Sequence, residues 1–296
     1  MKLARVLVVF KETSLSRVMR DRSKSARKIR ALLAHGDATV RALKIAHAEH
    51  LESVAEVRRV LARSGVQVIE TARLPERPVK GYDLVVTVGG DGMVLGVSHA
   101  VRDGTPVLGV NSAPSSSVGY LTGCLASTFE RAFGALREGR WQPLSVQRLS
   151  VRLGGRQLRE PVLNDVLFCA DNPAVVSRYR LIWPDGEELQ RSSGVWISTP
   201  AGSTSALASA GGPTLPLTAK QFAFLVREPY APPGMGVRVR SAVLAREETL
   251  TIECRMADAS IFLDGSHRRY PVPFGQKVSF TLHQQPLQLL RAPHAR

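Results

Sequence analysis

Residues Asp83 to Gly96 read Asp-Leu-Val-Val-Thr-Val-Gly-Gly-Asp-Gly-Met-Val-Leu-Gly, and this stretch decides the fold. Leu84 to Val88 is a strand-favouring run without polar alternation, the pattern of a parallel strand covered on both faces. The Gly-Gly-Asp-Gly turn then stands at a strand's carboxyl end, where open α/β sheets place their ligands in a crevice lined by helix N-termini. Gly89, Gly90 and Gly92 carry no Cβ, so the backbone is expected to adopt positive φ and bring its N–H groups close to a polyphosphate. Asp91 is poorly suited to binding phosphate but well suited to accepting a proton from an attacking hydroxyl. The same four residues are also ordinary turn chemistry. The strand before them, and Met93 to Val101 after them, which reads as a helix start, favour phosphoryl transfer. No Gly-x-x-x-x-Gly-Lys-Ser/Thr loop and no strand-borne Gly-x-Gly-x-x-Gly turn occurs, which argues against P-loop and dinucleotide-dehydrogenase chemistry.

Outward from this turn, the first half of the chain alternates strand and helix. Val6 to Phe10, Val66 to Thr71 and Thr105 to Val110, the last ending in Asn111, read as strands; Ser25 to Leu33 and Val40 to Ser64 have helical spacing. The pattern predicts a doubly wound, mostly parallel sheet. His47 and His50 lie three apart on the long helix and read as exposed positions rather than metal ligands. After Trp141 the texture changes to short β-rich runs: Leu149 to Leu153, Val162 to Ala170, Arg178 to Trp183, Gly194 to Ser198, Gln221 to Arg227, Leu250 to Cys254, Ile261 to Leu263 and Lys277 to Leu282. They predict an antiparallel β domain. The expected division is an α/β domain over 1–140 and a β-rich domain over 141–296, with the last segment free to pack back on the first domain. Ala292 to Arg296 reads as a frayed end.

The composition fits a folded, two-domain protein of 296 residues, 44% hydrophobic and 22% charged. No apolar run is long enough to cross a membrane. Met1 to Phe10 reads as a strand rather than a secretory signal, and Cys124, Cys169 and Cys254 suggest neither a disulfide framework nor a zinc site, so a cytoplasmic setting is expected. The net charge of +15 suggests an anionic partner, and Arg17, Arg20, Arg22, Lys24, Arg27, Lys28 and Arg30 are clustered. With 6% aromatic residues and no readout motif, nucleic acid is not expected. The cluster reads as a solvated basic helix, some of whose side chains could meet nucleotide phosphates.

A second cluster runs Ser198-Thr-Pro-Ala-Gly-Ser-Thr-Ser-Ala-Leu-Ala-Ser-Ala-Gly-Gly-Pro213. Its small residues allow a flat ligand to approach the backbone, and Ser203 and Thr204 offer hydroxyls; a Ser/Thr-rich loop opening a helix is the plainer reading. Together, the two clusters resemble the NAD kinase family. The likeness covers roughly Val85 to Tyr270, with Asn164-Asp165 in the family's Asn-acidic position and Leu263-Asp-Gly265 in a later Asp-Gly position. Gly109-Val-Asn-Ser112 with Pro114 and Ser117, Ala174 to Arg178, Arg191 to Gly194 and Val226 to Pro229 are most similar to the NADH kinase-like branch of plants and mitochondria. Relative to the commoner pattern, Met93 replaces a threonine, Ala206 a tyrosine and Ser193 an aspartate, and the loop after Asn111 is longer.

The resemblance implies a two-domain kinase that transfers a phosphoryl group from ATP to the adenosine-ribose 2′-hydroxyl of NAD or NADH. Asp91 is then the base, Gly89, Gly90 and Gly92 cradle phosphate, and Asn111 lines the same crevice. Asn164 and Asp165 hold the adenosine, Ser203, Thr204 and Ser205 contact it from the β domain, and Asp264 joins the binding set. It also implies magnesium accompanying ATP, with ligands that the sequence does not identify, and a homodimer or homotetramer. A lipid kinase of the diacylglycerol or sphingoid type shares Gly-Gly-Asp-Gly but needs an apolar acceptor pocket, against which Ser198 to Ser209 argues. A non-catalytic nucleotide-binding regulator is the other alternative, made less attractive by retention of Asp91.

Overall fold

The computed structural model describes residues 3–231 and 236–291, so the frayed end expected at Ala292 to Arg296 lies outside them. The chain divides into two units, Met1–Leu144 with Gln288–Arg296, and Ser145–Leu287.

Unit 1 is built in the order β1 (Arg5–Phe10), α1 (Ser14–Arg20), α2 (Lys24–Ala34), α3 (Arg41–Arg63), β2 (Gln67–Thr71), β3 (Leu84–Gly89), α4 (Asp91–Ser98), β4 (Val107–Asn111), β5 (Cys124–Leu125) and α5 (Phe129–Arg137). A short strand, β6 (Leu144–Val146), carries the chain into unit 2. All six residues of β3 are buried, and β3 runs parallel to β1, with Phe10 opposite Val88, and to β4, with Gly89 opposite Asn111. That burial follows from the unalternating apolar run, because both faces of a parallel strand are covered. On α3, Val54, Val57, Val60 and Leu61 recur at helical spacing and pack with Val6, Val8, Val86, Phe129 and Phe133 in one core. Each such side chain contributes about 1.5–3 kcal/mol relative to exposure, enough to fix the helix over the sheet.

The same face of α3 carries His50, only 4% exposed. This corrects the expectation of an exposed histidine: helical spacing places His50 one turn before Val54, on the buried stripe. The helices α1 and α5 are further additions to the sequence reading. The strand order is β2-β1-β3-β4-β19-β6, with β5 paired to β4; β19 (Leu287–Leu290) is the last strand along the chain. The chain moves outward from β1 to β2 and then returns to β3 on β1's other side. This is a topological switch point, and the Gly-Gly-Asp-Gly turn leaves β3 there, at the carboxyl ends where such sheets bind ligands.

Unit 2 contains β7 (Leu149–Leu153), β8 (Arg156–Gln157), β9 (Asp165–Ala170), β10 (Ser177–Trp183), β11 (Gly186–Ser192), β12 (Gly194–Ser198), β13 (Gln221–Arg227), β14 (Ser241–Ala245), β15 (Leu250–Cys254), β16 (Ala259–Leu263), β17 (Arg269–Pro271) and β18 (Lys277–Leu282). They form two antiparallel sheets, ordered β11-β10-β15-β18-β7-β8 and β14-β13-β12-β9-β16-β17. Alternating inward residues of both sheets, among them Phe168, Tyr179, Ile197, Phe224, Ile252 and Phe280, share one core. Pairing of β12 with β9 sets Ser198 opposite Asp165, which brings the Ser-Thr-Pro turn beside Asn164.

Candidate active site

In unit 1 the turn after β3 opens α4, whose first residue is Asp91 and whose N-cap is Gly90, with no side chain capping the first turn. None of Gly89, Gly90 and Gly92 has positive φ, which corrects the expectation from the sequence. Their lack of a Cβ serves close packing instead: a Cβ on Gly90 would stand 2.5 Å from Ser117 Oγ, and one on Gly89 would collide with Met93. At Gly92 a Cβ would meet nothing. Asn111 ends β4 and is buried; its Nδ2 donates to the Ser117 carbonyl at 2.9 Å and its Oδ1 accepts from Ala113 N–H. It therefore shapes the loop that lies against Gly90. Asp91 is fixed more firmly than a free base, because its two carboxylate oxygens accept from the N–H groups of Leu121 at 2.7 Å and Tyr120 at 2.9 Å. Each oxygen keeps a further lone pair with which to receive a proton.

In unit 2 the organising group is Asp264. Its backbone takes a left-handed φ of 48°, uncommon for a residue with a side chain. This turns the carboxylate onto three successive N–H groups, those of Leu163, Asn164 and Asp165, at 2.9, 2.7 and 3.1 Å. From the other side, Thr199 N–H donates to the Asn164 carbonyl at 3.0 Å and Thr199 Oγ1 donates to the Leu163 carbonyl. Gly202 rests against that same Asn164 carbonyl, where any Cβ would collide. The Asn164 backbone is thus clamped, and its side-chain Nδ2 donates to Asp165 Oδ2 at 2.9 Å and to Ser205 Oγ at 3.3 Å. Burial, and then repulsion from Asp264, raise the Asp165 carboxyl to about 7. Burial raises Asp264 to about 6 against the pull of its three backbone donors and Arg268.

The structure therefore gathers Asn164, Asp165, Ser205 and Asp264 into one cluster, and Gly89, Gly90, Asp91 and Asn111 into another. Ser203 and Thr204 stand apart from these contacts. The Ser203 hydroxyl is buried, donating to the Pro200 carbonyl and accepting from Leu215 N–H, so it pins the loop. Thr204 is exposed. Among the described residues, no three His, Cys, Asp or Glu side chains converge as a metal cage, and no helix is long and apolar enough to cross a membrane.

The model of the ATP-NAD kinase N-terminal domain matches residues 25–140. The chain is 32% identical over 254 residues to the probable NADH kinase of Oryza sativa subsp. japonica, covering 78% of each, and 31% identical to the NADH kinase of Arabidopsis thaliana, covering 69% of this chain and 71% of that one. The chain belongs to the NAD kinase family. Its fold is also that of the NAD kinase from Archaeoglobus fulgidus solved with ATP, with a TM-score of 0.70 at 20% identity over 98% of this chain and 95% of that one. The yeast NADH kinase solved with NADH gives 0.69 at 15% identity over 99% and 84%.

Within the NAD kinase frame, two departures acquire a structural place. Met93, where the commoner pattern has threonine, lays its side chain over Gly89. Ser193, where that pattern has aspartate, joins β11 to β12 and is held by its N–H on the Arg227 carbonyl. Sequence reasoning missed Thr199, although it lies in the quoted Ser-Thr-Pro segment. The donors to Asp91 are main-chain groups of Tyr120 and Leu121, which no side-chain pattern announces.

Proposed function

We propose that the protein transfers the terminal phosphoryl group of ATP to the 2′-hydroxyl on the adenosine ribose of NAD or NADH. What carries this reading is that, in a chain 32% identical to a probable NADH kinase over 78% of its length, Asp91 and the Asn164, Asp165, Ser205 and Asp264 group are each held in a hydrogen-bonded polar cluster. Unit 1 supplies the phosphate turn and the proton acceptor. Unit 2 carries Asn164, Asp165 and Ser205 for the adenosine, with Asp264 holding the backbone of Asn164 and Asp165 in place. The 2′-oxygen attacks the γ-phosphorus, the new P–O bond forms as the bond to the β–γ bridging oxygen breaks, ADP leaves, and the hydroxyl proton passes to Asp91.

Magnesium enters with the triphosphate as the counter-ion of its charge. The functional unit is a homo-oligomer in the cytoplasm; exposed Val175, Val176 and Leu189 around the β10–β11 hairpin give it apolar surface for self-association. A lipid acceptor is not favoured, since the unit 2 cluster presents amide, carboxyl and hydroxyl groups. The test is a product assay that offers ATP with NAD, NADH or diacylglycerol. Formation of the 2′-phosphorylated dinucleotide is expected, and phosphorylation of the lipid alone, or nucleotide binding without turnover, would overturn the reading.

A further inference from the structure

The carboxyl ends of β1, β3 and β4 are tied together by a buried imidazole that the family motifs do not include. His50 reaches down from α3, with Nδ1 2.8 Å from Ser112 Oγ just past β4, and it also hydrogen-bonds the backbone of Lys11 just past β1. Ser112 N–H in turn donates to the Gly89 carbonyl at 3.2 Å, Lys11 N–H donates to the Val88 carbonyl at 2.9 Å, and Ser53 Oγ donates to the Ser112 carbonyl. One side chain therefore fixes the three strand ends that surround the Gly-Gly-Asp-Gly turn.

Lys11 is the cation at this junction. Its Cβ lies 3.1 Å from where a Cβ on Gly89 would be, so its stem starts directly beside the phosphate turn, half-buried. The neighbouring carboxylates are engaged elsewhere: Glu12 pairs with Arg20, and Asp91 holds Tyr120 and Leu121 N–H. Among the described residues, no hydrogen bond or ion pair holds the Lys11 ammonium. Burial, and then the charges of Lys11 and His47, push the His50 imidazole below its ordinary range, so His50 is a neutral strut. A half-buried lysine whose ammonium has no counter-charge among the described residues, beside a glycine turn at a topological switch point, is matched by a phosphate oxygen.

We propose that Lys11 binds the triphosphate of the nucleotide donor directly at the Gly-Gly-Asp-Gly turn, and that His50 is the positioning residue that holds Lys11 and Gly89 in register. This deepens the kinase reading and rests on it. The test uses the full chain, with ATP varied at saturating dinucleotide, in Lys11→Gln, Lys11→Arg, His50→Ala and the Lys11→Gln/His50→Ala double variant.

Lys11→Gln should lower kcat/KM for ATP by about 10- to 150-fold, the fold-change matching loss of one charge-assisted contact. The KM for the dinucleotide and the thermal midpoint should stay near those of the parent. In direct titration Lys11→Gln should lose more affinity for ATP than for ADP, and Lys11→Arg should recover part of the loss. His50→Ala should weaken ATP use in the parent but add little in Lys11→Gln, the coupling expected when one residue acts through the other. Unchanged ATP kinetics in Lys11→Gln, or equal losses for ATP and ADP, would overturn the Lys11 assignment. Strict additivity of the two substitutions would overturn the positioning role. A parent chain that phosphorylates neither NAD nor NADH would overturn the kinase reading instead, so the failures are distinguishable.

Discussion

Replacing Asp165 by asparagine should stabilise unit 2 at alkaline pH, although Asp165 belongs to the candidate site. Its carboxyl is buried beside Asp264, and its pKa rises from 3.8 to about 7. A folded-state pKa above the unfolded one means that the unfolded chain releases its proton first as pH rises. Stability is therefore intact below about pH 4, falls between about pH 4 and 7, and stays low above that. A rise of about three units withholds about 4 kcal/mol at pH 8. Asparagine keeps an oxygen for Asn164 Nδ2 and carries no charge, but its new amide N–H2 is buried at a cost of about 1–3 kcal/mol. The net gain expected at pH 8 is about 1–3 kcal/mol, with little or none at pH 4.5.

Chemical denaturation of both proteins at pH 4.5, 6 and 8 measures this difference. Tryptophan fluorescence is a suitable probe, since Trp183 and Trp196 lie within β10 and β12 of unit 2. Dinucleotide affinity should fall in the same variant, because the residue is kept for its contact and not for stability. The reasoning is refuted if the difference between variant and parent does not grow from pH 4.5 to pH 8.

Asp91→Asn should lower turnover by about 10²–10⁴-fold; because an amide also sets an N–H2 against Tyr120 or Leu121 N–H, hydrogen exchange at those two residues must be read alongside, and near-normal turnover in the folded variant would remove Asp91 from the chemistry. Asn164→Ala should raise the dinucleotide KM by the loss of one or two neutral hydrogen bonds, about 0.5–1.5 kcal/mol each, and unchanged affinity in direct titration would exclude Asn164 from the site. Ser193→Asp should shift the ratio of specificity constants toward NAD over NADH, since a restored carboxylate favours the cationic nicotinamide; no shift, or one toward NADH, would count against that orientation.

The fold was legible where one physical signal dominates. Leu84 to Val88 announced β3 because a doubly covered strand has no polar face, and five unit 2 strands, β7, β12, β13, β15 and β18, run over the very residues that the apolar pattern marks. β11 escaped notice because its sequence, Gly-Glu-Glu-Leu-Gln-Arg-Ser, is polar; it is paired along one edge only, at the end of its sheet. The reading of His50 failed for a related reason. A histidine three residues from another histidine looks like a metal pair or an exposed position, whereas the deciding fact is its phase relative to Val54 and Val57 on the same helix.

The candidate site shows why residue type alone cannot separate contact from support. Asp91, Asp165 and Asp264 look equivalent in the sequence, as acids within the motifs of the resemblance, yet their oxygens do different things. Asp264 spends its carboxylate on three backbone N–H groups, so substituting it would disorder Asn164 and Asp165 whether or not it touches a ligand. Asp91 spends two oxygens on two backbone donors and still has lone pairs for a hydroxyl proton. Asp165 accepts from Asn164 Nδ2 and is the acid whose charge the fold opposes most through burial and the nearby Asp264. A carboxylate whose charge works against the fold is better explained by a ligand than by stability. That inference comes from counting donors around each oxygen: main-chain groups of the loop between β4 and β5 for Asp91, main-chain groups at the entry to β9 for Asp264, and the Asn164 side chain for Asp165.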